Sequence, residues 1–359
     1  MLTDKPRLPI RAILLYGFLP SPLKTWVYRL KGYRIGKNVT FGFGSVVCGR
    51  EVQIGDHSRI GFFTAISGRR IQIGAHVQIG ATTIIDTPTL EIGDGTKINE
   101  QVFVGGLQFP DSKLTIGRNC QIMQMTFINP SKSIRIGDDT GIGGNCLLFG
   151  HTSWLSKFEG YPVDFQSIEI GNSVSVAWRV FILPGSRIGD GAVIGANSLV
   201  NRTVPPRCLA VGFPARVVSK APDFPAELTD SDKQRFLKEI VAEMIAYLEG
   251  FELECREKEK DSSYEIVQVT RRWWRRRERT WRLKVVWAPI AADASGNILP
   301  DLDVFLSLHR IPQEVRSAYD RQQTLWIDIA AKERSERSND MGEEVVQYLR
   351  RYGVRLLRA

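Results

Sequence analysis

Histidine is the residue of this chain best suited to move a proton near neutral pH, and one of its four histidines stands apart. His151 lies in an interruption of the sequence pattern, where Leu148 and Ile170 are 22 positions apart. An alcohol or an amine is a poor nucleophile while it is protonated, and an imidazole with a pKa of about 6.5 can take that proton. Loops that leave a rigid scaffold commonly carry such groups. We therefore predict a chemical role for His151.

Metal binding is the other common use of histidine. His57 and His76 are 19 residues apart, and each follows a repeated isoleucine by three positions. They are expected to stack on adjacent turns, at an outward position. A catalytic zinc site takes three protein ligands, and His151 is too many turns away to complete the set, while His309 lies outside the repeat. We therefore expect two surface histidines and no metal.

The cysteines indicate no disulfide framework. There are five of them, an odd number, and no C-x-x-C motif occurs. Cys120 and Cys146 each stand four residues after a repeated isoleucine, at the position that Ser58, Thr96, Thr140 and Ser198 occupy in other hexads, so we interpret them as small core residues. The others are scattered. A reducing cytoplasm is the setting that this pattern favours.

The interruption at His151 is visible because an apolar residue otherwise recurs at every sixth position. The period fits neither a helix nor an ordinary strand. Three hexads would complete one turn of a coil, and a glycine often follows the aliphatic residue, where the chain must turn a tight corner. Because one turn cannot bury its apolar edge alone, the turns must stack. The last hexads begin at Ile170, Val176, Ile182, Ile188, Ile194 and Val200, and earlier triplets begin at Ile35, Ile54, Ile73, Ile92, Ile116 and Ile136.

Residues 33–220 resemble the hexapeptide-repeat acyltransferases, whose fold is a left-handed parallel β-helix of triangular section. The resemblance is strongest in residues 182–200 and 204–218, which look like the acetyl-CoA-binding terminal coils of sugar and polysaccharide O-acetyltransferases. It implies that His151, which directly follows Gly150, is the general base and that acetyl-CoA is the donor. It also implies a homotrimer with CoA between neighbouring subunits.

The resemblance implies a donor site with one departure. Where family members carry Trp-Ile-Gly and then a small residue, residues 175–178 read Ser-Val-Ala-Trp. Trp178 either takes over the role of the missing tryptophan or narrows the groove in which the pantetheine arm lies. Two arginines match basic residues near the cofactor phosphates, which the guanidinium fork suits well. The cofactor contacts that the resemblance assigns are Ala177, Trp178, Gly195, Ala196, Arg202 and Arg216.

The first residues are basic and predict a helix. Residues 1–37 carry eight Lys or Arg and a single acid, Asp4. Ser21 as N-cap and Pro22 at the first helical position, followed by apolar residues at helical spacing, indicate a short amphipathic helix. The helix either covers the open first coil or lies on an anionic membrane surface, and both roles can coexist. The apolar run 13–19 is too short to span a bilayer and lacks a signal-peptide cleavage site. The apolar residues are Leu23, Trp26, Val27 and Leu30, with Lys24, Arg29 and Lys31 around them.

The remaining residues have no hexad period and predict a small α+β domain. Thr229 and Asp232 open a helix whose apolar stripe runs from Phe236 to Leu248. Alternating runs predict strands near residues 264–270, 281–287, 302–308 and 325–329, and a closing helix covers 343–351. Residues 271–279 place two tryptophans among arginines, which favours either a solvated connection or a site for lipid head groups, phosphorylated sugars or nucleic acid. The predicted domains are a cap (1–34), a β-helix (35–220) and the α+β domain (221–359).

Together with the resemblance, these features predict a cytoplasmic acyltransferase that uses acyl-CoA. It would transfer the acyl group to an oxygen or a nitrogen of a sugar or a cell-surface polysaccharide precursor, by direct attack on the thioester. Peripheral contact with an anionic membrane is a further expectation, and nucleic acid is not expected as a partner. The alternative is a catalytically inactive β-helix whose C-terminal domain binds a partner, and Trp178 is the residue that keeps this alternative open.

Overall fold

The computed structural model describes residues 8–258, 262–272, 275–290 and 301–359. The described residues form two compact units, which divide between Glu227 and Leu228. No helix among these residues is long and apolar enough to cross a membrane.

Short parallel strands build the three faces of a β-helix in the first unit, which confirms the fold class predicted from the repeats, a left-handed parallel β-helix with an α+β domain after it. The first face holds Arg34–Ile35, Glu51–Ile54, Arg70–Ile73, Thr89–Ile92, Lys113–Ile116, Ile134–Ile136, Ile168–Ile170, Arg187–Ile188 and Thr203–Val204. The second holds Thr40–Phe41, Arg59–Ile60, Gln78–Ile79, Lys97–Ile98, Gln121–Ile122, Gly141–Ile142, Ser175–Val176, Val193–Ile194, Cys208–Gly212 and Ala215–Lys220. The third holds Val46–Cys48, Ala65–Ser67, Ile84–Asp86, Phe103–Val104, Phe127–Asn129, Leu147–Phe149, Phe181–Ile182 and Leu199–Val200.

The hexad residues form the core of this β-helix. In each face, a hexad residue pairs with the hexad residue at the equivalent position of the next turn, as Ile92 does with Ile116. All of the hexad residues are buried. The small residues four positions later are buried too, as predicted. Their side chains reach the next turn: Ser58 Oγ donates to the Gly74 carbonyl at 2.8 Å, and Cys146 Sγ to that of Ala177 at 3.1 Å. Where this position carries a hydroxyl or a thiol, it therefore supplies a hydrogen-bond donor to a backbone carbonyl of the next turn.

Two helical segments cover the first coil. The first is Ile10–Ala12, continued by a π-helical turn at Ile13–Gly17, and the second is Ser21–Leu30. The N-cap role predicted for Ser21 is wrong. Pro20 precedes the second helix without a side-chain cap, and Ser21 Oγ accepts a hydrogen bond from the Phe41 backbone N–H at 2.9 Å. The hydroxyl is used here because a first coil has no preceding strand to accept from its N–H groups.

Lys24 binds carbonyl oxygens of the first coil, as Ser21 binds one of its N–H groups. Its side chain is fully buried, and Nζ donates to the carbonyl oxygens of Gly42 at 2.6 Å and Ser45 at 2.9 Å. Burial lowers the pKa of Lys24 to about 8. From the same helix, Arg29 donates to the Ile35 carbonyl at 3.0 Å. The segment we call the cap, residues 8–31, therefore satisfies the open end of the β-helix with polar side chains.

The second unit is a mixed sheet with helices at Asp230–Glu249, Gln313–Gln322 and Asp340–Arg351. The capping box predicted from Thr229 and Asp232 is present. Leu237, Val241, Met244 and Leu248 are buried as expected, whereas Phe236 is exposed. The strands, in sheet order, are Leu253–Lys258, Ser263–Arg272, Arg275–Val286, Val304–Ser307, Leu325–Asp328, Glu333–Arg334 and Leu357–Arg358.

Two strands of this sheet are more buried than the sequence pattern predicts. Val304–Ser307 and Leu325–Asp328 are buried at every position, whereas the predicted period-two pattern counted only alternate residues as part of the core. They pair in parallel, joined by the helix Gln313–Gln322, so both faces of the sheet are covered here. Arg316 and Asp328 form a buried ion pair at 2.6 Å. In the run 271–279, Trp273 and Trp274 lie outside the described residues.

Candidate functional site

The chain leaves the third face of the β-helix directly before His151, as the missing hexads predict. His151–Thr152 pairs in antiparallel register with Asp164–Phe165, and the chain then resumes the first face at Ile168–Ile170. Gly150 lies in the narrow exit. A Cβ on this residue would be 3.0 Å from the Lys132 nitrogen and 3.1 Å from the Asn129 oxygen. A residue without a side chain is therefore needed at this step, and it brings the next residue close to the preceding coil.

His151 is half-buried and held by a serine that sequence reasoning missed. Its Nδ1 lies 3.1 Å from the Oγ of Ser131, which is itself fully buried. Its ring is stacked on Phe165, with centroids 5.7 Å apart and planes 11° apart. Burial lowers the pKa of His151 below its ordinary value, so the imidazole is neutral at pH 7. No described residue forms a hydrogen bond with Nε2 in this structure, which leaves one nitrogen for a ligand.

The coil register supplies the signal for Ser131. Asn129 pairs with Phe149 on neighbouring strands, an offset of 20 residues. The same offset carries position 151 back to position 131, so the residue that faces His151 from the preceding turn was available from the spacing alone. Asn129 is itself buried, and its Oδ1 has no hydrogen-bond partner in the described structure.

Aromatic rings surround the imidazole. Phe109 meets Phe165 edge to face at 5.2 Å, and Lys132 Nζ lies 5.1 Å from the Phe109 ring centroid. Lys132 also forms an ion pair with Asp111 at 2.8 Å. The region around His151 thus combines flat apolar surfaces with a few polar groups, the composition of many small-molecule sites.

Trp178 lies at the corner between the second and third faces. Its ring covers Gly144 of the preceding turn, since a Cβ added to that glycine would be 2.5 Å from Trp178 Cζ3. Trp178 is 42% exposed. The structure brings the other predicted corner residues together on successive turns: the Ala177 N–H donates to the Ile194 carbonyl at 2.9 Å, directly before Gly195 and Ala196. The tryptophan therefore lies on the preceding turn, and Gly195 and Ala196 follow it on the next one.

The two predicted phosphate contacts, Arg202 and Arg216, lie on different elements of the β-helix. Arg202 is exposed in the connection between the third and first faces, where Nε donates to Asn201 Oδ1 at 3.3 Å. Arg216 is exposed on Ala215–Lys220, which closes the second face and pairs with the strand of Val211. Arg202 is therefore at a different corner from Trp178, whereas Arg216 pairs with Val211, the residue whose side chain packs on Gly195.

His57 and His76 stack on adjacent turns as predicted. Their rings are parallel, with centroids 5.0 Å apart. Across the parts of the chain that the structure describes, no group of three or more His, Cys, Asp or Glu side chains is placed to hold a metal ion.

Comparison with known proteins gives relatives for the β-helix. Galactoside O-acetyltransferase of Escherichia coli K12 is 32% identical over 142 residues, which cover 37% of this chain and 63% of that protein. The chain thus spans less than two thirds of the length of this relative. No protein-family model matches the chain.

Solved structures with some likeness are also acyltransferases. The hexapeptide-repeat acetyltransferase VCA0836 of Vibrio cholerae is 25% identical, with a TM-score of 0.27 over 40% of this chain and 72% of that one. The N-acyltransferase AntD of Bacillus cereus is 16% identical, with a TM-score of 0.34 over 56% of this chain and 90% of that one. The β-helix of this chain is similar in sequence to hexapeptide-repeat acetyltransferases, which confirms the resemblance predicted from its repeats.

Proposed function

We propose that this chain is an acyltransferase that moves an acetyl group from acetyl-CoA to a hydroxyl or amino group of a sugar or polysaccharide precursor. The observation that carries the proposal is the geometry of His151, whose Nδ1 is held by Ser131 while Nε2 has no partner in the described structure. The relative named galactoside O-acetyltransferase supports the transfer of an acetyl group and the class of acceptor.

His151 is proposed as the general base. In the tautomer with its proton on Nδ1, that N–H donates to Ser131 Oγ, and Nε2 takes the proton of the acceptor group. The acceptor oxygen or nitrogen then forms a bond to the thioester carbonyl carbon. The carbon–sulfur bond breaks as the tetrahedral intermediate collapses, and the CoA thiolate takes the proton back from the imidazolium. Backbone N–H groups near the loop would stabilise the oxyanion.

The surroundings of His151 suit a sugar. The rings of Phe149 and Phe165 give flat apolar surfaces for the C–H face of a pyranose. Lys132 and Asp111 are polar groups close to the same loop, able to bind hydroxyls. This combination gives an orientation to a ligand that is apolar on its faces and polar around its edge.

The donor is proposed to lie along the corner of Ala177, Trp178, Gly195 and Ala196. Small residues on two turns leave the backbone accessible to a pantetheine arm. Arg202 lies at another corner within one chain, so its contact with CoA phosphates would require a neighbouring subunit, whereas Arg216 pairs with Val211 beside Gly195. We therefore include a homotrimer in the proposal, with CoA in the cleft between subunits and a cytoplasmic setting where acetyl-CoA is available.

The second candidate is a β-helix without catalysis that binds a partner, and the position of Trp178 over Gly144 is the observation that favours it. Thiol release from acetyl-CoA in the presence of a panel of sugars distinguishes the two. The acyltransferase releases CoA with at least one sugar, and CoA raises its unfolding temperature. A chain that is neither protected by CoA nor active on any sugar would favour the scaffold.

A further inference from the structure

The cap presents an apolar surface to its surroundings. Its two helical segments turn large side chains outward, and those of the second helix fall at positions i, i+3 and i+7, on one side. The exposed fractions are 58% for Ile10, 71% for Leu14, 77% for Leu15, 50% for Leu23, 62% for Trp26 and 68% for Leu30. We call these six residues the outer face of the cap.

The opposite side of the second helix is the polar one. Lys24 and Tyr28 are buried, and both form hydrogen bonds with the backbone of the first coil. Amphipathic helices of water-soluble proteins usually point their apolar side to the core. Here the core-facing side must satisfy the open backbone groups of the β-helix, so the apolar side is left outside, where nothing in the described chain covers it.

Charge around the outer face is of one sign. Residues 8–50 carry seven Lys or Arg and no Asp or Glu. Of these, Lys24 is buried, whereas Arg11, Arg34 and Lys37 are exposed. A row of exposed aromatic residues extends the apolar surface, since Phe43 lies 5.1 Å from Phe18 and 5.9 Å from Phe63 between ring centroids.

We propose that the outer face of the cap binds the surface of an anionic lipid bilayer, with its apolar side chains inserted among the acyl chains and its cations at the head groups. An exposed apolar helix face with flanking basic residues and no acidic ones is complementary to such a surface in both polarity and charge. Trp26 is of the type that prefers the boundary between lipid and water. The inference does not depend on the proposed acyl transfer.

A second copy of this chain fits the outer face less well. Two copies meeting face to face through this surface would bring the same unbalanced cations together. The repulsion would oppose the burial of the apolar side chains, whereas anionic lipid removes it. Charge complementarity therefore selects the bilayer over self-association.

The test is sedimentation of the full chain with lipid vesicles, in the absence of acetyl-CoA and sugar. The vesicles are phosphatidylcholine alone or an equal mixture with phosphatidylglycerol. The proposal expects binding to the mixed vesicles that added salt weakens but does not abolish, because part of it is apolar. The double variant Leu14→Ser/Leu15→Ser should bind about tenfold more weakly or worse. Leu107→Ser, which changes another exposed leucine outside the cap, is the matched control and should bind as the parent does.

Three results would overturn the proposal. The first is a parent chain that binds neither kind of vesicle. The second is a double variant that binds as well as the control, which would leave only an electrostatic contact. The third comes from light scattering without lipid: an assembly of the parent chain that the double variant dissociates would assign the outer face to a second copy. All three measurements stand whether or not the chain transfers acetyl groups.

Discussion

The cap and the His151 loop each hold a basic side chain against the β-helix, and they use its nitrogen atoms differently. Lys24 directs its ammonium group to two carbonyl oxygens and is fully enclosed. His151 uses Nδ1 on Ser131 and keeps Nε2 without a partner in the described structure. A polar group whose hydrogen bonds all go to the scaffold stabilises the fold. A polar group with one position left over can meet a substrate.

The two basic groups also differ in their charge at pH 7. In both, burial lowers the pKa of a basic group, Lys24 to about 8 and His151 below its ordinary value. At pH 7 the lysine is still mostly charged, which suits a donor to two carbonyls. The histidine is mostly neutral, which suits a base. The same physical effect therefore leaves a charged donor at one site and a neutral base at the other.

The largest expected effect separates the two sites by activity. Replacement of His151 by Ala should lower kcat by about two to four orders of magnitude, because the acceptor loses its base. CoA affinity and the unfolding temperature should stay near those of the parent. Steady-state kinetics with titration calorimetry check both, and equal activity in the variant would remove His151 from the mechanism.

Lys24→Met should show the reverse behaviour. It removes the buried donor that Lys24 Nζ provides to the carbonyl oxygens of Gly42 and Ser45, and it should lower the free energy of unfolding by about 2–4 kcal/mol at pH 7. Lys37→Met, at an exposed position of the first coil, is the matched control and should change stability little. Denaturant titration measures both, and equal stability of the two variants would contradict a structural role for Lys24.

The pH dependence of stability sharpens the contrast. The pKa of Lys24 is about 8 in the folded chain against 10.5 in the unfolded one, so between these values the unfolded chain binds more protons. Its contribution to the free energy of unfolding should therefore rise as the pH goes from 8 to 10.5 and be constant below. The difference between the parent and Lys24→Met, measured by denaturant titration along this pH range, should grow by about 1–3 kcal/mol. A difference that shrinks would mean that the buried amine prefers its charged form.

The donor corner should respond at a smaller scale. Trp178→Gly should weaken CoA binding by about 1–3 kcal/mol, because the ring forms an exposed apolar surface beside Ala177. Trp154→Gly removes another exposed tryptophan, in the His151 loop, and should leave CoA affinity unchanged. Titration calorimetry decides the sign: a Trp178→Gly variant that binds CoA more tightly would show that the ring blocks the groove.

Ser131→Ala should have the smallest effect on activity, a fall in kcat of about tenfold. Ser131 positions His151, and its oxygen also favours the imidazolium when it accepts from Nδ1–H. Without it, the acid limb of the pH–rate profile should move to lower pH. A loss of activity with an unmoved limb would mean that the serine acts only through packing.

The coils could be predicted from the sequence because their information is local. A residue such as Ile92 pairs with its counterpart Ile116 in the next turn, so the six-residue period determines the stack. The excursion at His151 was predicted as a break in that period. Its role as a base is still a prediction, since placement beside Ser131 supports the chemistry without testing it.

What the sequence did not predict depends on contacts between elements. The spacing of Leu23, Trp26 and Leu30 identifies a helix but not the side it turns inward, which is decided by the unpaired carbonyls of the first coil. In the second unit, the full burial of Val304–Ser307 follows from a parallel neighbour on each side and layers on both faces. The two neighbouring strands, Arg275–Val286 and Leu325–Asp328, are each separated from Val304–Ser307 by a connecting stretch of chain.

The most direct test of the account is the pH dependence of kcat/KM for acetyl transfer by the parent chain. Because the base must be neutral and burial lowers the pKa of His151, activity should reach a plateau at higher pH and fall as the pH drops through a midpoint below about 6.5. The residual activity of His151→Ala should lack this limb. A profile in the parent that has no acid limb, or one that falls with a midpoint well above 6.5, would contradict His151 as the general base.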